Sequence, residues 1–265
     1  MTTPDASAAK AQLQREGFAI LPGVLDRERC EDVRTRLWRA AAESERRGSP
    51  TRNTGIDPNE HNVRVFNLID LDPVFIELIQ HALAVDIVRS LLGPGFLISN
   101  FTANIALPGS RSMQPHSDQS IVVPEPWLEP WSMNIIWCLS DTHAANGATL
   151  YLPMSHRIAW RRDVPEDPRA GMLPFEAPAG SIIAMDGRLW HTSGANVTGR
   201  EERALLFGYY SRDFIRPQTN WNAALSPATT AALSGQMRAW LGLGPAANMS
   251  LAAPLAIRAP GEATS

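Results

Sequence analysis

The sequence contains few cysteines and almost no lysine. Its two cysteines among 265 residues, Cys30 and Cys138, do not form a CxxC pair, so neither a disulfide framework nor a zinc ribbon is expected. Lys10 is the single lysine, the arginines are scattered, and the net charge is −3. A chain without a concentrated basic region is not expected to bind nucleic acid or an anionic membrane.

Long apolar runs are also missing. No run approaches the roughly 18 residues that cross a bilayer, and residues 1–5 lack the basic and apolar regions of a secretory signal. We therefore predict a cytoplasmic protein with no membrane partner. The hydrophobic content of 44% is enough for one sizeable core, and all-β proteins of this length are commonly one domain. The oligomeric state stays open.

The first third of the chain has the periodicity of helices, as does a segment near its end. A short apolar strand, residues 18–21, follows the first helix, and residues 45–62 are expected to form a loop. Beyond about Gly242 the composition predicts a frayed tail. The predicted helices are 8–17, a helix capped by Asp26 that runs to about Ser44, 73–92 and 226–241.

From Phe96 the pattern changes to short strands separated by turns. Asn146-Gly147 is the strongest hairpin signal. Several short strands at such spacing are typical of a β-sandwich or barrel, so the predicted fold class is mainly β with flanking α-helices. The predicted strands are 96–107, 113–123, 132–139, 148–152, 181–185, 189–193 and 203–211.

Two histidines and one aspartate form a candidate metal site. Side chains two positions apart on a strand point to the same face. His116 and Asp118 can therefore hold one ion from a predicted strand, and His191 can complete the set from a neighbouring strand. Two imidazoles and one carboxylate are the ligands of non-haem Fe(II) oxygenases, in which the remaining metal positions are open for chemistry. Because thiolates are absent from this set, structural zinc is disfavoured.

Arg203 is a candidate binding group for a second ligand in the same cavity. It follows His191 after a loop rich in glycine and asparagine, which predicts a position on the next antiparallel strand. A 2-oxo acid would occupy two of the open metal positions, and O2 would occupy the third. The far carboxylate of such a cosubstrate needs a cation with planar, paired donors, which arginine supplies better than lysine.

These residues resemble the phytanoyl-CoA dioxygenase (PhyH) family of Fe(II)/2-oxoglutarate-dependent oxygenases. The similarity extends over most of the chain, and Met154 is a small departure because the family usually has glycine there. The combination is specific for the family and much less specific for the substrate. The segments that carry it are 16–25, 113–119, 146–156 and 187–196, together with Arg203 and 216–220.

The resemblance implies a double-stranded β-helix (jelly-roll, cupin-like) core and a set of cofactor contacts. It implies that His116, Asp118 and His191 bind Fe(II). It also implies that Arg203, helped by Ser193, binds the C5 carboxylate of the cosubstrate 2-oxoglutarate. Further candidates for contacts near the cosubstrate are Gln114, Asn134 and Thr149.

We expect the chain to form a single domain over residues 1–265. Its parts are expected to be N-terminal helices at about 8–92, the jelly-roll core at about 96–216, and a C-terminal helix and tail at about 222–265.

Four residues are candidates for substrate contacts. Trp127 and Trp131 lie in a proline-rich segment that follows Asp118, and they can form a wall or lid over the pocket or pack on the core. Arg64 and Asn67 lie in an alternating segment that can line the cavity mouth or form an ordinary edge strand.

The predicted reaction is the oxidation of a C–H bond in a small to medium, largely apolar metabolite, in specialised metabolism. It requires Fe(II), 2-oxoglutarate and O2, and its outcome can be hydroxylation, desaturation, epoxidation or cyclisation. A fatty acyl thioester is an alternative substrate. Two other classes stay open on the same β core: a metal-dependent hydrolase and a non-catalytic protein that binds a small ligand. Arg203 argues against the hydrolase, which needs no such cation.

Overall fold

The N-terminal elements follow the sequence closely in the computed structural model, which describes residues 5–243. Helix α1 (Ala6–Glu16) ends at Gly17, whose φ of 81° lets the chain turn into strand β1 (Phe18–Leu21). Helix α2 (Arg27–Arg46) begins where Asp26 accepts a 2.7 Å hydrogen bond from the Arg29 backbone N–H. The predicted first helix, short strand and Asp26 cap are thus confirmed. The predicted frayed tail lies, from residue 244 on, outside the described residues.

The single helix predicted over residues 73–92 is wrong, because the structure has two helices there. Helix α3 (Pro73–Ile79) and helix α4 (Ala82–Leu92) are separated by Gln80 and His81. The carbonyl of Ile79 accepts a 2.6 Å hydrogen bond from the hydroxyl of Tyr210, which lies on a distant strand. A tertiary contact therefore satisfies a carbonyl at the helix end, and the apolar periodicity carries no sign of it.

Replacing Tyr210 with phenylalanine is expected to lower the free energy of unfolding by about 1–2 kcal/mol. The change removes the buried donor and leaves the Ile79 carbonyl without its partner. Urea denaturation followed by circular dichroism measures the effect. An unchanged stability would show that this hydrogen bond does not hold the junction between α3 and α4.

Two sheets form the core. The large sheet has six strands in the order β1-β7-β4-β9-β3-β2, and the small sheet has three in the order β6-β5-β8, all in antiparallel pairs. This arrangement confirms the mainly β fold with a jelly-roll core. The remaining strands are β2 (Asn62–Val65), β3 (Phe96–Ala106), β4 (Ser132–Cys138), β5 (Thr149–Tyr151), β6 (Leu173–Pro174), β7 (Ile182–Asp186), β8 (His191–Ser193) and β9 (Arg203–Arg212).

The two faces of the large sheet have different surroundings. On β3, the alternating residues Phe101, Ala103 and Ile105 belong to the main apolar core, which also contains the buried faces of the helices. Residues 100, 102 and 104 point to the opposite face, towards the small sheet.

Among residues 5–243, no helix combines the length and apolar character needed to cross a bilayer.

The segment 113–123 does not form the predicted strand. His116 makes one isolated bridge to His191, and Asp118 already begins a 3₁₀ helix (Asp118–Ile121). Ser117 Oγ and the Gln119 backbone N–H both donate to the carbonyl of Gly187, at 2.9 and 2.8 Å, and this draws the chain into a turn. The candidate ligands His116 and Asp118 therefore come close together because the chain bends between them, and they do not lie on one face of a strand.

The hairpin predicted at Asn146-Gly147 is also wrong. A turn does occur there, with Gly147 at a φ of 90°, but β4 before it and β5 after it belong to different sheets. The turn carries the chain across from one sheet to the other, as connections between the sheets of a jelly roll must.

The single helix predicted over 226–241 is divided as well. Helices α5 (Trp221–Ala224), α6 (Pro227–Ala232) and α7 (Gly235–Trp240) are all short. Ser234 separates the last two, because its Oγ accepts a 3.1 Å hydrogen bond from the Met237 N–H and so begins a new helix.

Candidate metal centre

His116 and His191 lie opposite each other on neighbouring chain segments. Their backbones exchange two hydrogen bonds: His116 N–H to His191 O at 2.9 Å and His191 N–H to His116 O at 2.8 Å. The ring centroids are 4.4 Å apart. The pairing brings the two imidazoles side by side at the point where β8 begins.

Both imidazoles are oriented by the same local contact. The Nδ1 atom of His116 lies 3.0 Å from the carbonyl of Gln114, and that of His191 lies 2.9 Å from the carbonyl of Leu189. A carbonyl can only accept, so each Nδ1 carries the proton and each Nε2 presents a free lone pair. Each ring is thus prepared to bind a metal through Nε2.

Asp118 completes the cluster. Its Oδ1 lies 3.9 Å from His116 Nε2 and 3.8 Å from His191 Nε2. One ligand atom from each of the three residues lies within 4.8 Å of the others. Burial lowers the pKa of His191, which keeps its imidazole neutral, as metal binding requires. The donor set of two nitrogens and one oxygen, without a thiolate, fits Fe(II) in a facial triad.

Arg203 is an almost fully buried cation in the same cavity. Its side chain is 1% exposed. It donates from Nε to the Gly147 carbonyl (3.0 Å), from Nη1 to the Asn104 carbonyl (3.2 Å) and from Nη2 to Asn104 Oδ1 (3.0 Å). These three acceptors are neutral, and no carboxylate in residues 5–243 forms an ion pair with it. Two of its five N–H groups therefore remain for a ligand.

The charge of Arg203 persists despite its burial. Desolvation lowers the pKa of the guanidinium to about 10, which leaves it protonated at neutral pH. A buried cation without an anion is costly. The site is thus complementary to an anionic group that enters from the cavity.

One cavity of about 280 Å³ connects the triad with Arg203. Although β8 and β9 follow each other in the chain, they lie in different sheets, so Arg203 faces the triad across the cavity and not from the adjacent strand. Of the predicted cosubstrate contacts, Ser193, Asn134 and Thr149 line it, and so does Arg64. The other lining residues are Ile56, Phe66, Asn100, Thr102, Asn104, Met113, Phe207, Tyr209 and Gln218.

Four predicted site residues do not line this cavity. Gln114 is exposed and contributes its backbone carbonyl to His116. Asn67 donates to the Ala224 carbonyl at 2.6 Å, and Trp131 packs edge-on against Phe214. Trp127 is 1% exposed and donates to the Val122 carbonyl. Trp127 therefore stabilises its own loop and Trp131 packs against the segment that follows β9, and neither lines the cavity.

Arg64 lies at the edge of the cavity but its charge is already paired. It forms a two-pronged ion pair with Asp57, with Nε–Oδ2 at 2.8 Å and Nη2–Oδ1 at 2.6 Å. The Asp57 carboxylate is fully buried, and the Arg64 side chain is 16% exposed. Arg64 therefore offers the cavity a neutralised guanidinium.

Replacing Asp57 with alanine is expected to lower the free energy of unfolding by about 3 kcal/mol, because a largely buried guanidinium loses its counter-charge. Asp163→Ala is the matched control, since its pair with Arg162 is exposed on both sides and 3.9 Å long. Urea denaturation measures both. Equal effects of the two substitutions would mean that the Asp57 pair is energetically unimportant.

Sequence reasoning missed the polar face of β3. Asn100, Thr102 and Asn104 occupy alternate positions in a strand whose other residues, apart from Ser99, are apolar. Their spacing of two was the available signal, since it places all three side chains on one face. Tyr209 and Asn134 pair across β9 and β4, and no local pattern could have indicated that.

A jelly-roll core with a candidate site of two histidines and one aspartate is typical of mononuclear non-haem oxygenases. The family model of phytanoyl-CoA dioxygenase (PhyH) matches residues 13–204. Dioxygenase af480 of Aspergillus fumigatus is 49% identical over 235 residues, which cover 89% of this chain and 76% of that protein. The chain belongs to the phytanoyl-CoA dioxygenase family, and it is accordingly a dioxygenase.

Solved structures share the fold. HygX from Streptomyces hygroscopicus, solved with nickel and 2-oxoglutarate bound, has a TM-score of 0.65 at 17% identity and covers 79% of this chain and 88% of its own. The α-ketoglutarate-dependent carbocyclase SnoK from nogalamycin biosynthesis has a TM-score of 0.66 at 20% identity and covers 85% and 95%. At these identities the likeness is evidence for the jelly-roll fold alone.

Proposed function

We propose that this dioxygenase uses Fe(II), 2-oxoglutarate and O2 to oxidise a C–H bond of a small, neutral and largely apolar metabolite. The observation that carries the proposal is the position of Arg203. A buried guanidinium without an anionic partner in residues 5–243 lies in the same cavity as a triad that suits Fe(II). A dicarboxylate cosubstrate accounts for both features, because one end can bind the metal and the other can neutralise the cation.

Each residue of the site has a distinct task in this proposal. His116, Asp118 and His191 hold the iron, and Arg203 binds the far carboxylate of 2-oxoglutarate with help from Ser193 and, less directly, Thr149. Bound iron and its cosubstrate supply the activation of O2, with conversion of 2-oxoglutarate to succinate and CO2. The protein holds the reacting groups together and keeps water away from them.

The lining of the cavity supports a neutral substrate. Ile56, Phe66 and Phe207 supply apolar surface, and Asn100 and Gln218, which hydrogen-bond to each other, supply neutral polar groups. Arg64 is neutralised by Asp57. This lining gives no support to the alternative of a coenzyme A thioester, whose phosphates require unpaired cations. The cavity volume of about 280 Å³ also favours a compact molecule.

Specialised metabolism is the proposed setting, as for SnoK in nogalamycin biosynthesis. We further propose that residues 1–265 act as one domain and that the protein works in the cytoplasm with a small molecule as its partner. The oxidative outcome can be hydroxylation, desaturation, epoxidation or cyclisation, since each of these can follow the same activation of O2.

Anaerobic titration of the metal-free protein with Fe(II) and 2-oxoglutarate tests the cofactor assignment. The expected result is the weak visible charge-transfer band of the chelate, followed by release of succinate when O2 and a metabolite panel are added. A hydrolase would require neither 2-oxoglutarate nor O2, and a binding protein would release no succinate. Absence of the band at saturating Fe(II) and 2-oxoglutarate would contradict the proposal.

A further inference from the structure

The two carboxylate oxygens of Asp118 have different surroundings. Oδ1 faces the imidazoles, at 3.9 Å from His116 Nε2 and 3.8 Å from His191 Nε2. Oδ2 accepts a 2.5 Å hydrogen bond from Asn134 Nδ2. One oxygen is thus available to a metal, and the other is engaged by the protein.

Asn134 is well placed to hold that second oxygen still. It lies in the middle of β4, paired with Met185 of β7 on one side and with Tyr209 of β9 on the other. Its side chain is 6% exposed. The Tyr209 hydroxyl also donates to the Asp118 backbone carbonyl, at 3.3 Å. The large sheet therefore holds Asp118 through both its backbone and its side chain.

The other end of the Asn134 amide has no evident structural use. Its Oδ1 is buried and lacks a hydrogen-bond partner within residues 5–243. A buried carbonyl oxygen without a donor destabilises the folded state, and an apolar side chain of similar shape would avoid that cost. Fold stability alone thus does not explain an asparagine at this position.

We infer that Asn134 is a positioning residue that restricts Asp118 to metal binding through Oδ1 alone. A carboxylate that is free to turn can bind through both oxygens, as carboxylates do on other cations. In a facial triad the second oxygen would take one of the positions that the cosubstrate and O2 require. The Asn134 hydrogen bond prevents that rotation. This inference rests on the proposed iron site.

The test uses the full chain freed of metal with a chelator, with Co(II) alone as the probe. Asn134→Leu keeps the shape of the side chain and removes the donor, and Asn134→Ala serves if leucine impairs folding. Thr102→Val is the matched control, because Thr102 lines the same cavity from β3. His116→Ala tests the metal site itself.

Three measurements are made on each variant. Calorimetric titration gives the Co(II) affinity, the visible d–d spectrum reports the coordination, and thermal unfolding reports the stability.

The expected result is a loss of Co(II) affinity of roughly 10- to 100-fold in both Asn134 variants, with an altered d–d spectrum. The melting temperature of Asn134→Leu should equal or exceed that of the parent protein. Thr102→Val should bind Co(II) within about twofold of the parent.

Two outcomes would overturn the inference. The first is that the Asn134 variants bind Co(II) like the parent while His116→Ala does not. The second is that affinity and melting temperature fall together in both Asn134 variants, which would indicate a structural role. If His116→Ala itself retains normal binding, the proposed iron site is wrong and the inference fails with it.

Discussion

Replacing His191 with alanine is expected to abolish turnover of 2-oxoglutarate, a loss of roughly a thousandfold or more. His191 is a buried candidate ligand whose Nδ1 is fixed by the Leu189 carbonyl, so its Nε2 is aimed at the proposed metal position. Two remaining ligands cannot hold the ion firmly, and the several kcal/mol that a bound metal contributes to the reaction are lost. Succinate release with saturating Fe(II) measures the effect.

His143→Ala is the control for this experiment. His143 lies outside the cavity and pairs with Glu201 through Nε2 at 2.7 Å, so its loss should leave succinate release unchanged. Substantial activity in His191→Ala at micromolar Fe(II) would mean that the metal is bound elsewhere.

Replacing Arg203 is expected to have the second largest effect. In Arg203→Ala the cosubstrate carboxylate would enter a buried site without its counter-charge, which costs about 2–5 kcal/mol. That corresponds to a rise in KM for 2-oxoglutarate of roughly 30- to 5000-fold. Arg203→Lys keeps the charge but not the planar fork or the contacts with Asn104 and Gly147, so an intermediate loss is expected.

Measuring the affinity for Fe(II) in the absence of 2-oxoglutarate shows whether an Arg203 substitution affects only cosubstrate binding or disturbs the whole site. The Fe(II) affinity of Arg203→Lys should stay within about twofold of that of the parent protein, because Arg203 donates its hydrogen bonds to Gly147 and Asn104 and to none of the three proposed ligands. A normal KM for 2-oxoglutarate in Arg203→Ala would remove the main support for the proposed cosubstrate, because another group would then have to bind its far carboxylate.

The sequence predicted most elements whose signals are local. The Asp26 cap, strand β1 and the long strands β3, β4 and β9 depend on residues close together in the chain, and the structure confirms them. Two of the errors occurred where a distant group intervenes, whereas the division of the helix predicted over 226–241 follows from the local Ser234 cap. Tyr210 ends a helix at Ile79, and the Gly187 carbonyl draws the segment after His116 into a turn.

The candidate metal site shows the same difference between what local sequence signals predict and what distant contacts decide. The residue types of His116, Asp118, His191 and Arg203 were sufficient to suggest a metal and an anion, because those side chains have few other shared uses. The contacts that support them were not visible in the sequence. Asn104 was not predicted at all, and Asn134 was predicted only as a cosubstrate contact. Their contacts with Arg203 and Asp118 depend on the strand order and register of β3, β9 and β4.

The amino-acid sequence by itself determined the class of chemistry, because ligand identity and charge are properties of individual side chains. Only the tertiary structure decided which tryptophans are buried. It also decided that Arg64 is neutralised by Asp57 and that Arg203 remains available for an anion. Trp127 and Arg64 were both candidate substrate contacts in the sequence, but the fold buries the first and pairs the second with Asp57. Burial and pairing depend on neighbours that are distant in the chain, so no local pattern could have determined them.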